Sequence, residues 1–515
     1  MNRFIQKHAK RITGILAGFD RLVLRGTLRQ LAYTAGMMIF MSFRSILLKN
    51  FGTFAQASTQ MLREASLGEA EKRKRPVIYL ASPKTDKEAL ARSIAQKDGI
   101  TEGLVCVLES VEPCRSYDIF RNRDLKRLEL VNRWRKCKFI YHYCIDPVFG
   151  FMNARIQSWL PFEIQICLNG REWLAREMDR AGIDYERRDN CFASLGNVRR
   201  AQNLMDRQLK IHWPTELNRI ARQLNPAHVR IFQTFRIPYY WSVHQSEWAT
   251  DLMFRDPASL AEIYPGLVRH GMTVLSSGDV MRFLGQKVSG NFKGQIISDF
   301  KNRPEGVRIK HRVNANSIKL YDKQGSVLRA ETTINDAAGI KVFRPKEGDG
   351  RGKRALRPLR KGIADLHRRA QVSGASNERY LDALASADTS APASAFLDGL
   401  DQAVTFKRQR VRGIRAWSAA DLALFKAVSR GEFSINGFRN IDLDHVLNGR
   451  RPEDPQERRR RSARVTRLIR LLRGHKLIRK MPRSRRYSLT SRGRETLSMV
   501  LALHDLTLDE VRRAS

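Results

Sequence analysis

Three acidic residues stand at positions where a strand-rich chain can hold a metal ion. Asp146 closes the alternating stretch KFIYHYCID (138–146), Asp189 lies in RDNCF after a further strand-like run, and Glu247 lies in SEWATDLMF. Carboxylate oxygens are hard ligands that suit Mg²⁺. Paired Mg²⁺ ions stabilise both the attacking and the leaving oxygen in phosphodiester transfer. Asp146, Asp189 and Glu247 are therefore the expected catalytic and metal-holding residues, with Mg²⁺ as the expected cofactor. A helical reading of SEWATDLMF puts Asp251 one turn beyond Glu247, and His244, Glu247 and Asp251 at i, i+3 and i+7. Asp20, in GFDRLVLRG, reads as a turn residue between two strands rather than as a fourth ligand.

A second constellation occupies NSIKLYDKQGSVLRAETTIN (316–335). Alternation predicts a hairpin turning at Gln324–Ser326, with Ile318, Leu320, Leu328, Ala330, Thr332 and Ile334 underneath. Lys319, Tyr321, Lys323, Arg329 and Glu331 then point outward. VRIKHRV (307–313) is expected to add a strand that presents Lys310 and Arg312. This face reads first as a phosphate-gripping platform, with Tyr321 as a candidate nucleophile. The six cysteines form no C-x-x-C pair. Cys137, His142 and Cys144 read as buried strand residues rather than metal ligands.

The elements that must position these residues suggest a mixed α/β and α+β multidomain chain. An N-terminal α/β segment spans 1–68 and is followed by the basic linker EAEKRKR (69–75). A small βαβ unit covers 76–130, built from PVIYL, a helix over 86–99 and GLVCVLESV. The strand-rich unit 131–225 runs as three antiparallel strands, a helix capped by Asn169, then a strand over 183–192. A helix-plus-hairpin basic platform spans 226–345. A basic, low-complexity connector covers 346–405 and includes ASADTSAPASA. A nucleic-acid-binding domain covers 406–515.

In that last domain the helices are expected at 418–430, 441–447 and 455–477. Strands at 477–482 and 485–490 follow, then a closing helix at 491–503. Val465, Leu468, Ile469 and Leu472 recur at helical spacing and should face a core. Arg460, Arg464, Arg467 and Arg470 fall on the other faces, and Arg483, Arg485 and Arg486 sit at the hairpin. Positions 406–515 hold 28 Lys/Arg against 11 Asp/Glu.

Several of these motifs carry resemblances. RLLRGHKLIRKMPRSRRYSLTSRGR resembles MarR-like winged-helix regulators, which implies duplex DNA binding by the last fifth of the chain. The order of three strands, a helix and a strand resembles the opening of ribonuclease-H-like folds. The order Asp146, Asp189, Glu247 resembles the acidic triad of DDE transposases and integrases, although DNCF lacks the glycine of their signature. The stretch YDK…LRAE is similar to strands of rolling-circle replication initiators, but their His-hydrophobic-His metal motif is absent. GFDRLVLRGTL and SIKLYDKQGSVLRAETTIN are similar to phrases in uncharacterised bacterial proteins, which imply no activity.

Charge selects the partner class. The 515 residues hold 94 Lys and Arg against 52 Asp and Glu, a formal balance of +42. Such an excess is relieved by a polyanion, and phosphate contacts gain affinity from counterion release. DNA, structured RNA or both are the expected partners, and a homo-oligomer is compatible with the reading. The apolar run 31–43 is shorter than the roughly 20 residues a membrane span needs, and no signal-peptide pattern is read at the start. A cytoplasmic, nucleoid-associated bacterial protein without membrane insertion is expected. The leading expectation is a mobile-element-type DNA-processing enzyme. Its rivals are a non-catalytic winged-helix regulator and an RNA-binding partner of a structured noncoding RNA.

Overall fold

The computed structural model describes residues 2–275, 277–285, 294–303, 306–346, 352, 354–385, 397, 399–429, 433, 437–450, 452–481, 484–490, 492–493, 496–497 and 500–501. It is a mixed α/β protein with a large mixed sheet of eleven strands. In chain order the strands are β1 (Ile12–Thr27), β2 (Val77–Leu80), β3 (Gly103–Asn122), β4 (Arg127–Asp146), β5 (Gly150–Gln157) and β6 (Ile164–Asn169). Then come β7 (Tyr185–Arg188), β8 (Cys191–Leu195), β9 (Tyr240–Phe254), β10 (Ile296–Arg303), β11 (Gly306–Val313), β12 (Asn316–Lys323) and β13 (Val327–Ile334). The sheet order is β10-β11-β12-β13-β9-β1-β6-β5-β4-β3-β2, and β7 pairs with β8 in a sheet of their own. No described helix is long and apolar enough to cross a membrane.

The chain divides into two compact units. One comprises residues 13–253 and 331–374. Here β4, β5 and β6 pair antiparallel, as the alternation predicts, and β2 lies parallel to β3. The expected basic linker is absent as such. A helix, Phe51–Lys72, runs through most of it and buries Phe51, Ala55, Ser58, Leu62, Ser66 and Ala70 on one helical stripe. β1 is continuous, so Asp20 sits in mid-strand and not in a turn. The strand expected over 183–192 becomes the β7/β8 hairpin, and β6 is instead flanked by β1 in antiparallel register, with Leu22 opposite Leu168 and Leu24 opposite Ile166. The expected helix over 246–254 is strand β9. Its run of valine, tryptophans and threonine favours strand, and nearly every residue of its second half is buried.

The other unit comprises residues 1–12, 254–330 and 375–515. VRIKHRV forms β11, antiparallel to β12, and the hairpin turns at Gln324–Ser326 with Gly325 at φ +81°. β10 adds a further strand, Ile296 to Arg303 against Val313 to Gly306. Near the C-terminus, helices Ala419–Val428, Asn440–Asn448 and Pro455–Gly474 and the hairpin Ile478–Lys480/Tyr487–Leu489 fall at the expected places. Val465, Ile469 and Leu472 enter a core with Phe425, Phe438 and Leu477, and Leu468 packs against it half-buried. Apart from Ala385, the linker ASADTSAPASA lies outside the described residues, as do parts of the closing helix.

One close approach fixes the centre of the first unit. The helix Gly170–Arg180 starts against β1, and a Cβ at Gly170 would lie 1.8 Å from the carbonyl oxygen of Phe19. Gly170→Ala is expected to lower stability by about 1–3 kcal/mol, as overpacking against backbone does. Gly68→Ala, on an exposed helix face with nothing within 4 Å of the new methyl, should instead raise it by roughly 0.5–1 kcal/mol. Thermal unfolding of the two variants separates these outcomes.

Candidate metal centre

Strand alternation and sheet order together build a carboxylate cluster inside the unit of residues 13–253 and 331–374. Asp20 on β1, Glu247 on β9 and Glu331 on β13 come from three consecutive strands of the sheet. One carboxylate oxygen from each lies within 4.8 Å of the others. Asp20 is 6% and Glu331 2% exposed, while Glu247 is half-buried. Neighbouring strands run roughly 4.8 Å apart, so side chains on one face of three strands can meet over the middle one.

The Asp20 carboxylate is held from two sides. Asn190 Nδ2 donates to Asp20 Oδ1 at 2.8 Å, and Asn190 Oδ1 accepts from Asn169 Nδ2 at 3.0 Å. Asn169 Oδ1 in turn caps the helix Gly170–Arg180, accepting from the backbone N–H groups of Arg171 and Glu172. Arg171 is fully buried. Its Nη2 donates to Asp251 Oδ2 at 2.9 Å, and its Nε lies 3.9 Å from Asp20 Oδ1. Glu247 Oε1 accepts from Gln245 Nε2 at 3.0 Å.

This donor set fits a hard divalent cation. For bonds of ~2.1 Å the ligands of an octahedral Mg²⁺ stand about 3.0 Å apart when adjacent and about 4.2 Å when opposite, and the three oxygens, within 4.8 Å of one another, surround a space of that order. Carboxylates packed this closely repel one another; Arg171 offsets part of that at Asp20, and a bound cation would offset more.

The sequence-predicted residues divide differently from the expectation. Glu247 belongs to the cluster, but from a strand. On a strand His244 lies on the opposite face from Glu247 and Asp251, so the i, i+3, i+7 set does not form. Asp146 accepts from the backbone N–H groups of Val148 and Phe149 and is ion-paired to Arg219 at 3.2 Å. Asp189 sits at φ +51° in the turn of the β7/β8 hairpin. The one group of three or more potential ligands found among the described residues contains neither. Asp20 and Glu331 were not expected as ligands. The available signal is a single acid within each strand.

The platform residues also redistribute. Both faces of β13 are buried, so Arg329 (1% exposed) and Glu331 do not point to solvent, and Lys323 is buried too. Arg312 is exposed, while Lys310, Lys319 and Tyr321 are half-buried, with Tyr321 opposite Arg308 and Lys310 opposite Lys319. Burial, then the neighbouring Lys319 and Arg308, hold Lys310 below the usual lysine range. On the helix Pro455–Gly474, Arg464, Arg467 and Arg470 are exposed, and Arg460 is exposed and paired with Glu457. Arg485 is exposed. Arg486 donates to the Gly437 carbonyl, and Arg483 lies outside the described residues. All six cysteines are free thiols, with burial pushing Cys144 up to about 12. Burial also pushes His142 down to about 4, against a weaker pull from Glu69.

Two outcomes follow. Arg171→Met should destabilise the protein by about 3–5 kcal/mol, because it leaves buried carboxylates without their cation. Adding Asp251→Leu should recover part of that loss in thermal unfolding. His142 is neutral in the fold and titrates at its usual 6.5 once unfolded. Its contribution is thus complete above pH 6.5 and is lost as pH falls toward 4. His142→Leu should remove about one proton from the pH dependence of stability in that window. Comparisons with protein-family models, curated proteins and solved structures found no match for this chain.

Proposed function

We propose that this protein performs divalent-cation-dependent phosphodiester chemistry on nucleic acid, as a mobile-element-type processing enzyme. The observation that carries the reading is the convergence of Asp20, Glu247 and Glu331 from three neighbouring strands. In this reading the three carboxylates hold the cation. Bound there, Mg²⁺ supplies charge stabilisation at the phosphoryl oxygens and a more acidic water. Asn190, through its hydrogen bond, and Arg171, through its charge, hold Asp20 in place. In the reaction a water or hydroxyl oxygen bonds to phosphorus, the bond to the leaving oxygen breaks, and the nucleophile's proton passes to solvent or a carboxylate.

The charge of +42 supports a polyanionic substrate. The C-terminal module supports a DNA-contacting role through its resemblance to winged helices. Its exposed Arg467 and Arg470 line one shallow depression with Arg458 and Arg459, where phosphates can be gripped.

The test is cleavage of labelled single- and double-stranded DNA and RNA by the full chain, in Mg²⁺, Mn²⁺ or EDTA. Asp20→Asn and Glu331→Gln should each lower metal-dependent cleavage by at least about a hundredfold and leave salt-sensitive binding intact. Asp146→Asn should leave cleavage largely unchanged. Binding without cleavage in any metal would favour the regulator instead, and a discrete co-purifying RNA would favour the RNA-binding partner.

A further inference from the structure

The same unit carries a cleft on the face of β1 opposite Asp20. Arg25 is five residues from Asp20 on one strand, so the two side chains point to opposite faces. Arg25, Gln165, Arg155 and the pair Gln157/Phe139 are linked in register across β1, β6, β5 and β4. Together they line a cleft of about 720 Å³. Its size lies within the 300–1,000 Å³ typical of ligand sites.

The lining is unusual in what it leaves open. Trp134 is 68% and Tyr33 55% exposed, and both border the cleft. Trp134 stands opposite Arg115 on the two-stranded extension of β3 and β4. Arg115 is exposed and tethered by Asn132, donating to its side-chain and backbone oxygens at 3.2 Å. At the floor the Arg155 guanidinium lies 3.7 Å over the Phe139 ring and donates to Glu112 at 2.8 Å. Three arginines line the cleft against one carboxylate, Glu163, which pairs with Arg25. His244, on β9, adds a ring held below the usual imidazole range by partial desolvation and then by Arg25.

We propose that this cleft binds an unpaired nucleotide segment of single-stranded nucleic acid. Trp134 and Tyr33 serve as stacking faces for bases, Arg115 meets the phosphate, and Gln165, Asn132 and His244 offer groups for base edges. Aromatic faces beside arginines are the chemistry that single strands use, because every base has a π-face and every linkage a charge. A base stacked within a duplex has no free face to offer, so the site selects against duplex. The inference shares the nucleic-acid premise of the proposed function but uses none of its metal-holding residues.

The test measures anisotropy of fluorescein-labelled 12-nucleotide single strands and of the matching duplex with the full-length protein. Trp134→Ala should weaken single-strand binding roughly ten- to a hundredfold, with Tyr33→Ala acting in the same direction, while duplex affinity stays within about twofold. Trp134→Phe should retain most of the affinity. Arg115→Gln should reduce the salt slope by about one ion. Asp20→Asn should leave this binding unchanged, so loss of cleavage with Trp134-dependent binding intact speaks only to the metal site. Unchanged single-strand affinity in Trp134→Ala, with an unaltered melting temperature, overturns the proposal. So does loss of binding to anionic phosphatidylserine vesicles alone, which would assign the cleft to a lipid surface.

Discussion

Arg171 is charged and has no exposed surface. A guanidinium in that position is tolerable only where carboxylates meet it directly, because desolvating an unpaired ion costs several kcal/mol. Asp251 meets it at 2.9 Å and Asp20 stands 3.9 Å away. The pairing therefore sets the relation of β9 to β1 and of the helix Gly170–Arg180 to both. Gly170 is what lets that helix come so close, since any side chain there would strike the Phe19 carbonyl. Asn169 couples the same helix start to Asp20 through Asn190. Fold and candidate site are thus one arrangement: the contacts that seat the helix are the contacts that aim Asp20.

The local elements were largely legible. Alternation in KFIYHYCID and the segments after it gives β5, β6 and the last nine residues of β4, whose earlier part, Arg127–Cys137, is not read as strand, and helical spacing gives the core side of Pro455–Gly474. The errors arose where one residue type argues for two things. Asp20 looked like a turn because aspartate favours turns, yet it lies at the same parity as the buried Leu22 and Leu24. SEWATDLMF carries residues at helical spacing, but β9 is buried on both faces over that stretch, which hides the period of two. Glu331 was placed outward because a hairpin considered by itself has a wet face. β13 has none, since all eight of its residues are buried. The cluster itself joins positions 20, 247 and 331, and no local pattern reports a meeting over such separations.

The carboxylate cluster and the cleft of this unit lie on opposite faces of β1 by strand parity. Even positions of β1 from Leu16 to Leu24 are buried, and that face carries the carboxylates. Arg21 and Arg25 lie at the other parity, with the cleft bordered by Trp134 and Tyr33. A sheet flanked in this way can keep acidic and basic groups close in sequence without letting them neutralise one another. The Arg25–Glu163 pair stays on the cleft side, and the Arg171–Asp251 pair stays on the cluster side.

Under the proposed reading a net charge of +42 draws a polyanion from a distance, while the candidate site gathers three carboxylates, two of them buried. Those two facts conflict unless something intervenes at short range, because a phosphate brought beside three carboxylates is repelled. Screening does not resolve it. At physiological salt the Debye length is about 8 Å, longer than the separations inside the cluster, and buried pairs are screened even less. A divalent cation held by the three carboxylates would resolve it, by turning the cluster from repulsive to attractive toward a phosphate. Under the proposed reading the excess of lysine and arginine governs encounter and grip, and the cation governs whether the substrate can enter. Affinity should then depend strongly on salt, and entry to the site on metal.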